Sequence, residues 1–69
     1  MTIGTVKFFN TTKGFGFIAP EDGGKDVFVH ATAVERSELQ HLIEGQVVGF
    51  EIQRDARSGK DSAVNLRAA

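Results

Sequence analysis

Glycine and proline cut most of this chain into runs too short for a long helix. Glycines stand at positions 4, 14, 16, 23, 24, 45, 49 and 59, and the single proline is Pro20. Between these breaks lie runs rich in Val, Ile, Phe and Thr: Thr2 to Asn10, Phe15 to Ala19, Asp26 to Ala31, Gln46 to Arg54 and Ser62 to Arg67. Short β-branched and aromatic runs bounded by turn residues read as strands. Five of them in 69 residues predict an all-β barrel or sandwich. Glu21-Asp22-Gly23-Gly24-Lys25 has the composition of a tight turn, and Arg57-Ser58-Gly59-Lys60-Asp61 is a second turn of the same kind. The stretch from Val27 to Glu44, free of Gly and Pro, carries Val34, Leu39, Leu42 and Ile43 at poor helical spacing. A turn of helix near Thr32 to Arg36 is expected there, with Thr32 as its cap and Glu35 in the capping-box position, followed by a loop. No repeat or linker divides the chain, so one domain over residues 1–69 is expected.

Composition narrows the function. The chain has no cysteine, which removes a disulfide framework, a thiolate zinc site and a cysteine nucleophile together. No apolar run approaches the roughly 20 residues of a membrane span, and the first residues lack the pattern of a signal peptide. A cytoplasmic protein is expected. Eight Lys and Arg against nine Asp and Glu give a net charge of −1, so bulk charge cannot be what draws a polyanion. Any such affinity must come from local arrangement.

Alternation along the strands supplies one, because residues i and i+2 share a face. Phe15 and Phe17 point one way while Gly16 and Ile18 point the other; Val27 and Val29 oppose Phe28 and His30. A core of Val6, Ile18, Val27, Val29, Val34, Val48, Phe50, Ile52 and Val64 satisfies every strand with aliphatic residues and one ring. It leaves Phe15, Phe17, Phe28 and His30 together on the opposite face, with Lys7 and Lys13 at the margin. Burying these rings instead would turn Ile18, Val27 and Val29 outward. Parity from Val6 buries Phe8 and exposes Phe9, unless a bulge in the first strand inverts the pair. Gly14 and Gly16, interleaved with the rings, are expected to let a flat partner approach the backbone. Nucleic-acid bases have two π-faces, and stacking one on an aromatic side chain is worth about 1–3 kcal/mol. Lysines beside the rings would meet phosphates. Bases in a duplex already stack on each other, so such a face selects single strands.

Lys7-Phe8-Phe9-Asn10, Lys13-Gly14-Phe15-Gly16-Phe17-Ile18 and Asp26-Val27-Phe28-Val29-His30 closely resemble the bacterial cold-shock proteins. Glu44-Gly45-Gln46 with Val48 and Phe50, and Ala63 with Asn65, extend the resemblance over nearly the whole chain. It implies a five-stranded antiparallel OB-type barrel that binds single-stranded RNA and DNA and serves as a cytoplasmic RNA chaperone, with effects on transcription and translation. It also implies that Lys7, Phe8, Asn10, Lys13, Phe15, Phe17, Phe28 and His30 contact nucleic acid, with Asp26 beside the site accepting hydrogen bonds from base edges. Phe8 stands where the family usually has tryptophan, which favours the binding face for Phe8 against the parity count. Ala31 and Leu39 stand where it often has aromatics, and Lys60 where it has proline. Fewer rings imply weaker binding and a shorter site than a full aromatic set would give.

Two other classes compete. An enzyme has little support: His30 and His41, the only histidines, have no metal-ligand spacing, and Gly14-x-Gly16 lacks the rest of a dinucleotide loop. Neither a cofactor, a metal nor a small-molecule substrate is expected. A protein-interaction barrel gripping a partner with the same exposed rings is the stronger alternative, and a near-neutral charge suits it equally well. A monomer is the expected state.

Overall fold

In a computed structural model, which describes residues 1–39, 41–57 and 59–69, the strands are β1 (Thr2–Asn10), β2 (Phe15–Pro20), β3 (Val27–His30), β4 (Val47–Arg54) and β5 (Asp61–Ala68). A single short helix, α1 (Ala31–Glu35), follows β3 among the described residues. Every strand falls on a run expected from the sequence, to within a residue at each end. The strands close into an OB-type barrel in the order β1-β2-β3-β5-β4. Neighbours run antiparallel except at the closure, where β3 meets β5 in parallel at one paired position, Phe28 opposite Ser62.

The connections follow their chemistry. In the β1–β2 turn, Asn10 Oδ1 accepts the Lys13 amide at 2.9 Å and the Asn10 carbonyl accepts the Gly14 amide at 2.8 Å. Gly14 has φ +79°, a left-handed conformation glycine adopts without steric cost. The β2–β3 connection bends where Gly23 N–H donates to the Pro20 carbonyl at 3.2 Å. Between β4 and β5, Gly59 N–H donates to the Asp55 carbonyl at 2.7 Å; Ser58 of this expected turn lies outside the described residues, as does Gln40 of the expected loop.

Helix α1 begins one residue earlier than expected, and its cap is His30 instead of Thr32. The Thr32 amide donates to His30 Nδ1 at 3.2 Å, and Thr32 Oγ1 lies 3.0 Å from the same nitrogen. An imidazole nitrogen on the last residue of β3 thus does the work usually given to a Ser, Thr or Asp oxygen.

The core comprises Val6, Ile18, Val27, Val29, Val34, Leu42, Val48, Phe50, Ala63 and Leu66. Seven of the nine residues expected there are in place; Ile52 and Val64 are not. Ile52 is 47% exposed, because β4 runs past the packed layer and all of its last four residues are exposed. Val64 is half-buried, and Ala63 and Leu66 line the interior instead. Their spacing of three breaks strict alternation for a visible reason. Between Gly49↔Arg67 and Glu51↔Val64, β5 advances one residue more than β4, and Asn65 within the extra step has φ 52°. Such a bulge rotates the following residues to the other face.

Candidate nucleic-acid interface

The rings gather where β1, β2 and β3 lie side by side. Phe17 pairs with both Phe8 on β1 and Phe28 on β3, and Phe15 pairs with Asn10 and His30. Side chains on directly opposed positions share a face, so the register alone assembles the cluster. Ring centroids stand 5.6 Å apart for Phe8–Phe17, 5.8 Å for Phe17–Phe28 and 5.9 Å for Phe15–Phe28. His30 extends the row, 6.4 Å from Phe28. Phe15, Phe17 and Phe28 are half-buried against one another, while Phe8 and His30 are exposed. The valines on the reverse side of β3, Val27 and Val29, are buried as parity required.

Phe8 joins the face through a bulge. Between Val6↔Ile18 and Phe8↔Phe17, β1 takes two steps for one on β2, so Lys7 is the extra residue. The inserted residue inverts the alternation: Phe8 is 40% exposed, and Phe9 packs partly buried against the core. Counting from Val6 therefore gave the wrong member of the pair, and the resemblance gave the right one.

The same bulge explains Gly16. A Cβ on Gly16 would run into the Phe8 carbonyl oxygen and lie 2.7 Å from Phe9 Cδ2 and 2.8 Å from Phe9 Cα. Gly16 is buried beneath β1, on the side away from the rings, so it serves strand packing and not the approach of a ligand.

Charge around the face is mixed. Lys7 Nζ pairs with Asp26 Oδ2 at 2.9 Å, with both side chains substantially exposed. Such a pair is worth at most about 1 kcal/mol, so a competing phosphate can open it. The Lys13 ammonium has no carboxylate partner among the described residues. Asn10 holds the Lys13 backbone through its Oδ1, which leaves its amide N–H groups for another acceptor. All nine expected site residues thus fall on or beside one face. Leu39, in contrast, packs partly against the core.

The sequence reading missed the far edge of this face. Phe17 and Phe28 also border a cleft of about 500 Å³ whose other wall is Asp55, Lys60, Asp61 and Ser62. Only the Phe28–Ser62 closure brings these residues there, and no local pattern announces a pairing across 34 residues. Among the described residues, no cluster of three His, Cys, Asp or Glu side chains could hold a metal ion. No helix among them is long and apolar enough to cross a membrane.

The molecule is a small closed OB-type barrel that presents a row of half-exposed rings on its sheet. Comparison with known proteins gives this barrel its family. The profile of the 'Cold-shock' DNA-binding domain matches residues 2–69. Cold shock protein CspA of Rhizobium meliloti (strain 1021) is 65% identical over 69 residues, covering all of both chains. Cold shock-like protein CspA of Rickettsia bellii (strain RML369-C) is 57% identical over 65 residues, covering 94% of this chain and 90% of its own. Cold shock-like protein CspE of Escherichia coli (strain K12) is 54% identical over 65 residues, covering 94% and 91%. The chain belongs to the cold-shock domain family, which binds nucleic acid and is not enzymatic.

Proposed function

We propose that this protein binds single strands of RNA and DNA by stacking successive bases on Phe8, Phe15, Phe17, Phe28 and His30. Lys7 and Lys13 meet the phosphates, and Asn10 and Asp26 hydrogen-bond base edges. The observation that carries this reading is the ring row itself: four phenylalanines linked by ring contacts on three adjacent strands, left half-buried or exposed while aliphatic residues and Phe50 fill the core. A hydrophobic row with open faces suits bases that have lost their stacking partners, and it has nothing to offer bases paired in a helix.

Function then follows by mass action. A protein that binds only the unpaired form of a strand shifts a hairpin equilibrium towards that form by its binding free energy. We place the chain as a monomeric cytoplasmic RNA chaperone with downstream effects on transcription and translation, needing neither cofactor nor small-molecule substrate. The whole chain acts as one cold-shock domain.

The test is fluorescence anisotropy of a labelled oligothymidine of about seven bases, within the range of OB-fold site sizes, against a duplex of equal length. The label sits on the nucleic acid because the chain has no Trp or Tyr. Single-strand preference that disappears in the Phe15→Ala, Phe17→Ala double variant supports the reading. Absence of binding by folded wild-type protein overturns it, and makes the ring face a surface for a protein partner.

A further inference from the structure

A second concave surface adjoins the ring face. It is a groove of about 440 Å³ between α1 and the β4–β5 hairpin, lined among others by His30, Thr32, Arg36, Gln53, Ser62 and Asn65. Its size falls within the roughly 300–1,000 Å³ of small-molecule pockets. Two of its residues also belong to the ring face or its edge. His30 ends the row of rings, and Ser62 pairs with Phe28 across the barrel closure. The ring face and the groove therefore share His30 and Ser62 as a common border.

The groove carries a cation of its own, Arg36. The chain carries nine acidic residues, and none of them lines it. The cleft at the Phe17–Phe28 edge is bordered by Asp55 and Asp61 as well as Lys60, and Lys7 is tied to Asp26. Arg36 is exposed and forms no salt bridge among the described residues, with Glu38 and Glu51 lining the neighbouring groove that it also borders. Guanidinium groups take phosphate oxygens two at a time, which makes arginine the stronger anchor for a phosphodiester. Its backbone is held at the end of the helix. His30 caps the start of α1, and the Arg36 amide donates to the Thr32 carbonyl at 3.1 Å at its end. Six residues of helical rise separate the two by about 9 Å, a reach of no more than two or three stacked nucleotides at about 3.4 Å each.

We propose that this groove receives the backbone of a nucleic-acid strand as it leaves the ring face past His30, with Arg36 holding a phosphate. Gln53 and Asn65 stand on the opposite wall. Asn65 Nδ2 donates to Glu51 Oε2 at 3.0 Å, which leaves its amide oxygen to accept from a base edge or a 2′-hydroxyl. The proposal rests on the ring face being the single-strand site, and extends it by a polar segment in which contact with the backbone replaces stacking.

Length dependence tests it. Affinities of wild-type protein, Arg36→Gln and Arg36→Lys are measured for oligothymidines of about five and about nine bases, both within OB-fold site sizes, over a salt series. Additional binding registers on the longer strand favour all three proteins equally, so only differences between them count. Arg36→Gln is expected to leave the short strand unchanged and to weaken the long one several-fold. Its log–log salt slope on the long strand should be shallower by about 0.7, the loss of one phosphate contact on a single strand. Arg36→Lys should restore most of that slope. Thermal unfolding of each variant checks that the exposed substitution leaves the barrel intact. An equal loss on both strands, or no loss on either, overturns the groove. Wild-type protein that binds neither strand overturns the stacking reading as well, and the two failures are told apart by the short strand.

Discussion

Single residues decide which side of each strand does what. Lys7 is the clearest case: as the inserted residue of the β1 bulge it sends Phe8 outward and Phe9 inward. That reversal was not legible from alternation, because one extra residue flips every later assignment and hydrophobicity does not distinguish two adjacent phenylalanines. The buried valines of β3 and the pair Phe15 and Phe17 were legible, since their strands carry no insertion at those positions. Gly16 follows from the same bulge. Gly16→Ala pushes a methyl into the Phe8 carbonyl and the Phe9 backbone, an overpacking change that typically costs about 1–3 kcal/mol. Denaturant or thermal unfolding should show it, with Tm lower by roughly 4–8 °C for each kcal/mol in a domain of this size. The two lysines should also differ. On a labelled single strand, Lys13→Gln is expected to reduce the salt slope by about 0.7. Lys7→Gln should reduce it by less, because its charge is already partly neutralised by Asp26. Equal slopes for the two variants would show that the Lys7–Asp26 pair opens completely on binding.

Elements of secondary structure explain how His30 comes to hold two positions at once. It ends the ring row on β3 and caps α1, so the strand-to-helix junction fixes the imidazole from the backbone side. An Nδ1 that accepts the Thr32 amide places the ring proton on Nε2. The two roles can be separated by substitution. His30→Asn retains a good cap and loses the ring, so it should weaken oligonucleotide binding while unfolding near the wild-type temperature. His30→Ala loses both, and a lost cap costs about 0.5–2 kcal/mol. Comparing melting temperatures and affinities of the two variants checks the assignment. The sequence offered Thr32 and Glu35 as a capping box, and the box went unused because the preceding strand already ended in a side chain able to accept. The loop after α1 was equally opaque. Leu42 is buried there and Leu39 packs against the core, yet without periodicity a sequence gives no sign of which loop leucines turn inward. Leu66 escaped for a related reason, since the left-handed Asn65 before it breaks the strand's count.

At the scale of the whole molecule, a small core carries a surface of exposed and half-exposed rings, and a ligand that covers those rings stabilises the fold. Binding restricted to the native state adds about 2.7 kcal/mol when free ligand is 100-fold above Kd. For a domain of this size that corresponds to a Tm increase of roughly 10–20 °C. Thermal unfolding with and without excess oligothymidine should show the increase, and a duplex of equal length should show little. The fold class was legible because five short runs and their turns survive any error in facing, whereas the neighbourhood of β3 and β5 was not. That closure has a consequence for motion. Four seams of the barrel are antiparallel ladders of several residues, but the fifth is a single paired position between Phe28 and Ser62. Breathing of the native state concentrates where the fewest hydrogen bonds must break, so the barrel opens first along β3, beneath Phe28 and His30. A bound strand that spans the rings and runs past His30 would lie across this line like a stitch, and its presence should slow amide exchange along the seam of β3 and β5 more than along the other seams.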